Sequence, residues 1–499
     1  MSTAAVKRKA DALTHANCMF WMDRKRRFCG LNRTPGTKFC GVHMPEASHE
    51  LMQSKRQRQK TAERRERIPC PHDPNHTIYA CNLRKHEKSC PAVRLLKKMR
   101  AQVFFCEACN SGTSSGTASI TVSSELQPAA LGRLIEDAFV RAAQKLDLPR
   151  EFLDNERQGT CAALSTDAPA PAAAVGAAAE PLAEELAALR PASTASLFAD
   201  VKQQKHQIQQ ASIIGHLQKK GVLPTSAASA AEACPTVFVE FGAGRGMLSS
   251  AIDVALPGAN VLLVERDGVR NKADRSLRYR VGTTEGASAA EGATASSSSS
   301  GGSSTGASAS ASASTCNAPL FHRVRIDIRH LKLDRVPVLS ADGLGAALRP
   351  VAGVGKHLCG VATDLTLRCL DDYSGPLTGF AVAQCCHHLC TFDDYCGREW
   401  LEKELGVGPA DWERVRRATS WAVGYRSAER RGASSEASAA RECVRVGRMA
   451  KRLLECGRVA YMRSKLNLNA SLVHFCPASV TPENVLLIAW QRAPEKVQV

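Results

Sequence analysis

Side chains that can move protons or attack an electrophile are concentrated in two short segments. One reads Gly355-Lys356-His357-Leu358-Cys359-Gly360, with Asp364 soon after it, and the other reads Gln384-Cys385-Cys386-His387-His388. A Lys or His oriented by a carboxylate can take the proton from a weakly acidic hydroxyl. A thiolate can instead attack a pyrimidine ring and form a covalent intermediate. The residues alone leave both chemistries open, with these candidates: Lys356, Asp364, His387 and His388 for proton transfer, and Cys359 or Cys385 for nucleophilic attack.

A glycine-rich turn precedes these segments. Val237–Phe241 is a run of β-favouring residues that carries Glu240, and it leads into Gly242, Gly244 and Gly246. Glycines at such a turn let the backbone approach a ligand closely. The spacing is not the G-x-G-x-x-G of dinucleotide-binding domains. An acid followed by G-x-G-x-G resembles motif I of the S-adenosylmethionine (SAM) dependent methyltransferases, which implies that SAM is the cofactor.

Two further acids stand where neighbouring strands should end. The apolar run Val261–Val264 ends in Glu265, and the next predicted strand ends at Asp327. Ligands of open α/β sheets bind beyond the carboxyl ends of the strands. Glu265 therefore suits the ribose hydroxyls of a cofactor, and Asp327 suits an adenine amino group. The predicted cofactor-binding residues are Glu240, Gly242, Gly244, Gly246, Glu265 and Asp327.

These residues need an alternating strand–helix scaffold. Apolar runs predict strands at 237–241, 260–264, 322–327, 351–355 and 378–384, with helices after most of them, and a closing pair of strands near 471–475 and 484–490. Such alternation is typical of α/β domains. Together with the motif I resemblance, it predicts a Rossmann-like class I methyltransferase domain over residues 197–499.

Cysteines and histidines form two ordered sets near the N-terminus. Three thiols and an imidazole, or two of each, can complete the tetrahedral shell of a structural zinc ion. Small modules of this kind lack an apolar core and need the metal to fold. We therefore expect one zinc ion in each of two modules, at residues 14–46 and 67–93. The predicted ligands are Cys18, Cys29, Cys40 and His43 in the first module, and Cys70, His76, His86 and Cys90 in the second.

Charge and composition restrict the partner and the compartment. The chain of 499 residues has a net charge of +18, and residues 1–100 hold 23 Lys and Arg against 8 Asp and Glu. A basic region of this strength predicts a nucleic-acid partner, with the run Lys55–Arg67 contacting phosphates. No apolar run reaches the roughly 18 residues of a membrane span, so no membrane interaction is expected. Twenty cysteines without a leader sequence indicate a reducing compartment, the nucleus or the cytoplasm.

Compositional bias marks the connections. Residues 110–196 are predicted to be a linker that contains one amphipathic helix, about Leu131–Leu146, and an alanine-rich stretch. Residues 283–318 consist almost wholly of Ser, Ala, Gly and Thr, and 427–440 have a similar bias. Both are predicted to be flexible insertions into the α/β domain.

Taken together, these motifs resemble the tRNA:m4X modification enzymes. The resemblance rests on Phe238–Gly244, on Lys356–Gly360 with Ala362–Leu365, on Cys385–His388 and on the two zinc modules, which look like CCCH and CHHC fingers. It implies a SAM-dependent methyltransferase that acts on the 2′-hydroxyl of nucleotide 4 in the tRNA acceptor stem. Two alternatives remain: an RNA cytosine-C5 methyltransferase using Cys359 or Cys385, and an RNA-binding scaffold with an inactive methyltransferase fold. The sequence does not identify a protein partner.

Overall fold

The structure of the protein is a computed structural model, and it falls into two compact units, Met1–Lys98 and Met99–Val499. It describes residues 17–22, 27–35, 38–40, 42–43, 67–112, 127–158, 194, 204–225, 236–269, 273–275, 277, 320–340, 347–425 and 435–492. The basic run Lys55–Arg67, apart from Arg67 itself, lies outside these residues, as do the insertion 283–318 and the alanine-rich stretch.

The first unit consists of two small modules. In the first module, the strands β1 (Trp21–Met22) and β2 (Arg27–Phe28) pair antiparallel. In the second, β3 (Arg67–Cys70) pairs antiparallel with β4 (Asp73–Tyr79), and α1 (Leu83–Ser89) follows a turn of 3-10 helix. The helix α2 (Pro91–Arg100) comes next. Each module is too small to bury an apolar core of its own, so its fold depends on its Cys and His side chains.

The second unit is a mixed α/β domain built on one sheet. Its helices are α3 (Pro128–Lys145), α4 (Arg150–Gln158), α5 (Gln204–Lys219), α6 (Met247–Ala255), α7 (Ala362–Asp371), α8 (Arg398–Leu405), α9 (Pro409–Ala418), α10 (Trp421–Gly424) and α11 (Ser435–Ser464). Its strands are β5 (Val237–Phe241), β6 (Asn260–Glu265), β7 (Phe321–Arg325), β8 (Val351–Leu358), β9 (Leu377–Gln384), β10 (Leu468–His474) and β11 (Val485–Gln491).

The seven strands lie in the order β10-β11-β9-β8-β5-β6-β7. Strands β5 to β9 run parallel to one another. Strand β11 pairs antiparallel with both β9 and β10. The sheet confirms the five predicted parallel strands and the antiparallel closing pair. The central strands are buried on both faces, as continuous apolar runs require. The order also places the carboxyl ends of β5, β6, β8 and β9 side by side.

The long helix α11 packs across one face of the sheet and organises one of the two large cores. Leu453, Leu454 and Val459 on this helix are buried in the same apolar cluster as Ile135 and Phe139 of α3. The helix predicted near Leu131–Leu146 is therefore part of the domain core, which corrects its assignment to a linker. In the predicted insertion 427–440, residues 435–440 are the first residues of α11, and 427–434 lie outside the described residues.

A buried arginine on α11 joins several elements of the fold. The Arg458 guanidinium donates to both carboxylate oxygens of Asp364 on α7, at 3.1 and 2.7 Å. It also contacts the Gln384 side-chain oxygen at the end of β9 and lies 3.0 Å from the Cys390 sulfur. Arg458 is 1% exposed and Asp364 is fully buried. Because a buried charge is stable only when it is paired, this bidentate contact fixes α7 and α11 against the strand ends.

Two further groups of buried ionic contacts involve the same helix. Arg452 and Glu455 of α11 are buried and paired at 2.7 Å, and Glu455 also contacts His387. Glu156 on α4 is 1% exposed and lies 3.0 Å from Arg448 and 2.8 Å from His474. Burial alone would raise the pKa of Glu156, but the neighbouring guanidinium groups hold it well below its usual range. The ionic contacts therefore extend from the strand ends to α4.

In the part of the chain that the structure describes, no helix combines the length and the apolar composition that a membrane span requires.

We predict that Asp364→Asn destabilises the α/β domain by about 3–5 kcal/mol, because it leaves the Arg458 charge buried without its counter-ion. The urea midpoint of the helical circular-dichroism signal measures the loss. The double variant Asp364→Leu with Arg458→Met should lose less stability than the two single changes together. Glu399→Gln, which removes an exposed pair with Lys403, serves as the control and should leave the midpoint unchanged. Equal midpoints for Asp364→Asn and the wild type would contradict the assignment.

Candidate functional site

The first cluster of metal donors is formed by Cys18, Cys29, Cys40 and His43, whose donor atoms lie within 4.8 Å of one another. The His43 Nδ1 atom lies 3.6 Å from the Cys18 sulfur and 3.4 Å from the Cys40 sulfur. Donors on a tetrahedral zinc ion are separated by roughly 3.3–3.8 Å. The three thiols are buried, and Phe20 stacks on the His43 ring at 4.0 Å. This arrangement fits a zinc ion.

The second cluster contains Cys70, His76, His86 and Cys90, again within 4.8 Å. The Cys70 sulfur lies 3.7 Å from the Cys90 sulfur and 3.3 Å from His86 Nε2. The Nε2 atoms of His76 and His86 face each other at 3.1 Å, as two lone pairs directed at one cation do. Cys81 and His72, two other donors in this stretch, are not members of the cluster. The His72 backbone N–H instead donates to the Cys70 sulfur at 3.4 Å.

Asp73 supports this second cluster and was not anticipated from the sequence. Its carboxylate lies 3.1 Å from Nδ1 of His76, on the side of the ring opposite the metal-facing Nε2. A carboxylate in this position fixes the tautomer and orientation of a zinc-bound imidazole. Asp73 lies three residues before His76. The spacing of metal ligands alone does not reveal such a supporting acid.

In the second unit, the glycine turn has the conformation that its sequence predicts. Gly242, Gly244 and Gly246 have φ angles of 61°, 49° and 78°, in the left-handed region. A Cβ atom on Gly242 would lie 2.9 Å from Leu358, whereas one on Gly244 would meet no atom closer than 4.0 Å. The backbone at Gly244 is therefore open to a ligand, while Gly242 is closely packed.

Arg323 on β7 stabilises the glycine turn by a hydrogen bond. Its guanidinium donates to the Gly244 carbonyl at 2.9 Å and pairs with Asp274 at 2.8 Å. Both side chains of the pair are largely buried. Sequence reasoning missed this support because Arg323 and the turn are almost eighty residues apart.

Glu240 lies beneath the turn. It is 4% exposed, and its carboxylate accepts the Ser249 backbone N–H at 2.9 Å in the first turn of α6. Burial raises the pKa of Glu240 to about 7. The carboxylate thus stabilises the turn and the start of α6, and its contacts in this structure are within the protein rather than in the open cleft.

Glu265 and Asp327 stand at the ends of the neighbouring strands. Glu265 accepts the Gly244 N–H at 2.7 Å and the Asp267 N–H at 2.8 Å. Asp327 accepts the Arg329 N–H at 2.9 Å and lies 3.7 Å from Arg266. Both carboxylates are partly exposed. The turn, Glu265 and Asp327 together form an edge with hydrogen-bonding groups for a ligand with an amino group and hydroxyls.

Lys356 lies near the end of β8 and has an unexpected partner. Its Nζ atom is 2.9 Å from Nδ1 of His206 on α5. Burial lowers the pKa of Lys356 to about 8, and the Lys356 charge lowers the pKa of His206. A neutral His206 can accept a hydrogen bond from the ammonium and so direct the amine. His206 precedes the glycine turn by more than thirty residues, which hid it from motif analysis.

The other predicted acid–base residues have different roles. The structure does not bring Asp364 to Lys356, because its carboxylate is buried against Arg458. His387 is 2% exposed, and its ring nitrogens contact the Cys385 carbonyl at 2.7 Å and Glu455 at 2.9 Å. Both contacts position the loop after β9. The His388 side chain is exposed, and its carbonyl accepts from Arg416.

The thiols gather at the same edge. The sulfur atoms of Cys359 and Cys385 are 2.8 Å apart, and Cys386 lies in the same group. A hydrogen bond from Cys385 lowers the pKa of Cys359 to about 6. The strand ends thus combine an amine of lowered pKa with an exposed thiol.

A cavity of about 520 Å³ lies at the opposite end of the sheet. It is lined by residues that include Tyr373, Leu468 and Gln491.

Three family models match the chain. Residues 208–490 match Methyltransferase TRM13, residues 16–44 match the CCCH zinc finger in TRM13 protein, and residues 67–91 match the U11-48K-like CHHC zinc finger. The first match covers more than half of the chain. The two finger matches enclose all eight predicted zinc ligands.

Similar proteins occur in animals and fungi. The mouse protein "tRNA:m(4)X modification enzyme TRM13 homolog" is 27% identical over 547 aligned positions, which cover 95% of this chain and 94% of that protein. The human protein of the same description is 26% identical, with 98% of each chain covered. The Saccharomyces cerevisiae protein "tRNA:m(4)X modification enzyme TRM13" is also 26% identical, with 98% of each covered.

We predict that Asp73→Ala lowers zinc affinity at the second cluster about 10–100-fold, because His76 loses the carboxylate that orients it. Competition with a chromophoric chelator measures this affinity, and zinc at the first cluster should be unaffected. Glu87→Ala, which removes an exposed acid on α1, is the matched control. An unchanged affinity in Asp73→Ala would refute the supporting role of Asp73.

Proposed function

The chain belongs to the TRM13 methyltransferase family, and from this membership we propose that it methylates the 2′-hydroxyl of nucleotide 4 in the tRNA acceptor stem. The relatives are described as tRNA:m(4)X modification enzymes. The observation that carries the chemistry is Lys356, a partly buried amine of lowered pKa on β8, the strand next to the one that leads into the glycine turn. An oxygen acceptor requires such a proton acceptor.

SAM is the methyl donor that we propose, and when bound it supplies an electrophilic methyl group. Gly242, Gly244 and Gly246 would hold its methionine end, Glu265 its ribose hydroxyls and Asp327 its adenine. The left-handed glycines and the open backbone at Gly244 support this assignment. The strand order, with one antiparallel strand inserted next to the last parallel one, supports a Rossmann-like class I methyltransferase fold.

Lys356 is the group that we propose to accept the hydroxyl proton. A neutral amine at Nζ can take the proton, and the lowered pKa gives a substantial neutral fraction near pH 8. The hydrogen bond to His206 Nδ1 orients Nζ. Asp364 and His387 act as positioning residues, because their buried contacts fix α7 and the loop after β9.

The two fingers and the basic run would bind the RNA. A-form helices expose phosphates and 2′-hydroxyls, and they are recognised more by shape than by base sequence. The surplus of Lys and Arg in residues 1–100 supports this role, as do the two donor clusters that fit zinc ions. We also propose a nuclear or cytoplasmic location, which is supported by cysteines grouped as metal donors rather than as disulfide partners.

A cytosine-C5 methyltransferase is the second candidate, and the exposed Cys359 thiol with its pKa of about 6 favours it. In that chemistry, a thiolate adds to the pyrimidine ring before methyl transfer. A 5-fluorocytosine RNA would then trap the protein covalently, and Cys359→Ala or Cys385→Ala would abolish trapping.

We predict that the enzyme transfers a tritiated methyl group from SAM to unmodified tRNA and produces a ribose-methylated nucleoside at nucleotide 4. Nuclease digestion and nucleoside mass spectrometry identify the product. The matched control is the same tRNA with a single 2′-deoxynucleotide at position 4, which lacks the acceptor and should gain no methyl group. A 5-methylcytosine product would overturn the proposal in favour of the thiols. Failure to bind SAM in calorimetry would indicate a scaffold.

We predict that Lys356→Met lowers the single-turnover transfer rate by at least about 100-fold, because the proton acceptor is lost. SAM binding should change little. In the wild type, the rate should rise with pH through about 8 and then level off, because the neutral form of Lys356 is the active form and predominates above its pKa. Lys356→Arg, which keeps the charge, should be as impaired as Lys356→Met. Retained turnover with an unchanged pH profile in either variant would exclude Lys356.

A further inference from the structure

Three thiols form a compact group at the carboxyl ends of β8 and β9. The donor atoms of Cys359, Cys385 and Cys386 lie within 4.8 Å of one another. Cys359 follows β8, and the other two follow β9 directly. The group therefore connects two adjacent strand ends of the sheet, well apart in sequence from the two finger modules.

Apolar packing does not explain this group. Unreactive cysteines are usually buried as small apolar side chains, as Cys369 and Cys456 are here. Cys359 is exposed, however, and Cys385 and Cys386 are only partly buried. The 2.8 Å between the Cys359 and Cys385 sulfurs is shorter than the roughly 3.3–3.8 Å between two donors on one zinc ion, so these two sulfurs must separate slightly when an ion binds. All three sulfurs lie close enough to share one ligand.

The backbone around Cys359 has an unusual conformation. His357 has a φ of 60°, unusual for a residue with a Cβ atom, and it coincides with an irregularity in the pairing of β8 with β9. Gly360 has a φ of 58°, and a Cβ atom there would lie 2.9 Å from Leu389. The loop that carries Cys359 is therefore pressed against the segment that follows Cys386.

We propose that Cys359, Cys385 and Cys386 bind one zinc ion as three thiolates, at a site distinct from both fingers. Binding forms three Zn–S bonds, and each thiol that is still protonated releases its proton to solvent. No other described Cys, His, Asp or Glu belongs to the group. Such a site keeps its fourth position for water or a small ligand, as zinc sites with three protein ligands do. The ion would join the loops after β8 and β9 next to Lys356.

Zinc content of the full-length protein tests the site. We expect three zinc ions per chain by elemental mass spectrometry after purification under reducing conditions, one for each donor group. Replacing all three cysteines, Cys359→Ser with Cys385→Ser and Cys386→Ser, should reduce the content to two. The matched control is Cys443→Ser, a partly buried thiol on α11 outside the group, which should retain three.

A wild-type content of two zinc ions would overturn the proposal, however the variants fold. A content of three in the triple-serine variant would also overturn it, because the third ion would then lie elsewhere. Non-reducing peptide mapping adds an independent readout: two zinc ions together with a Cys359–Cys385 disulfide would identify a redox pair instead. Because zinc counting requires no RNA or SAM, these outcomes do not depend on the proposed methyl transfer.

Discussion

The bidentate contact between Arg458 and Asp364 is the interaction on which the reactive edge depends. An unpaired charge in this interior would be strongly destabilising, so the position of Arg458 on α11 dictates where α7 must lie. The same guanidinium contacts the last residue of β9 and the sulfur of Cys390. The loops after β8 and β9 are therefore fixed by contacts within the core. These contacts also restrict the positions of the Lys356 amine and of the thiols on these loops.

This arrangement separates buried charges from reactive ones. Asp364 contacts α11, the helix that carries Glu455, and Glu455 contacts His387. All three side chains are buried, out of reach of a substrate. Lys356 and Cys359 stand at the edge, where burial lowers the pKa of Lys356 and a hydrogen bond from Cys385 lowers the pKa of Cys359. Glu240 and Glu265 divide in the same way, since Glu240 is buried beneath the glycine turn, whereas Glu265 is partly exposed and accepts the Gly244 N–H.

Local sequence patterns predicted the strands and the metal donors well. The apolar runs ending at Phe241 and Glu265 became buried parallel strands, and the donor spacings selected two groups that fit zinc. The pairings of Arg458 with Asp364 and of Arg323 with the glycine turn were not predictable. They join residues almost eighty or more positions apart, and periodicity carries no information about such partners. For the same reason, α3 was expected in a linker, although its apolar face packs against α11.

The ionic contacts of α4 have a consequence for where the catalytic part of the chain can be cut. Glu156 pairs with Arg448 and Arg452, and α3 covers the apolar face of α11. A fragment that began just before α5 would keep the whole sheet and every reactive side chain. It would nevertheless uncover the apolar residues of α11 that pack against α3, and it would remove the Glu156 carboxylate from beside Arg448 and Arg452. The smallest autonomous fragment therefore begins upstream of Pro128, and expression boundaries drawn at the first strand would yield an aggregating protein.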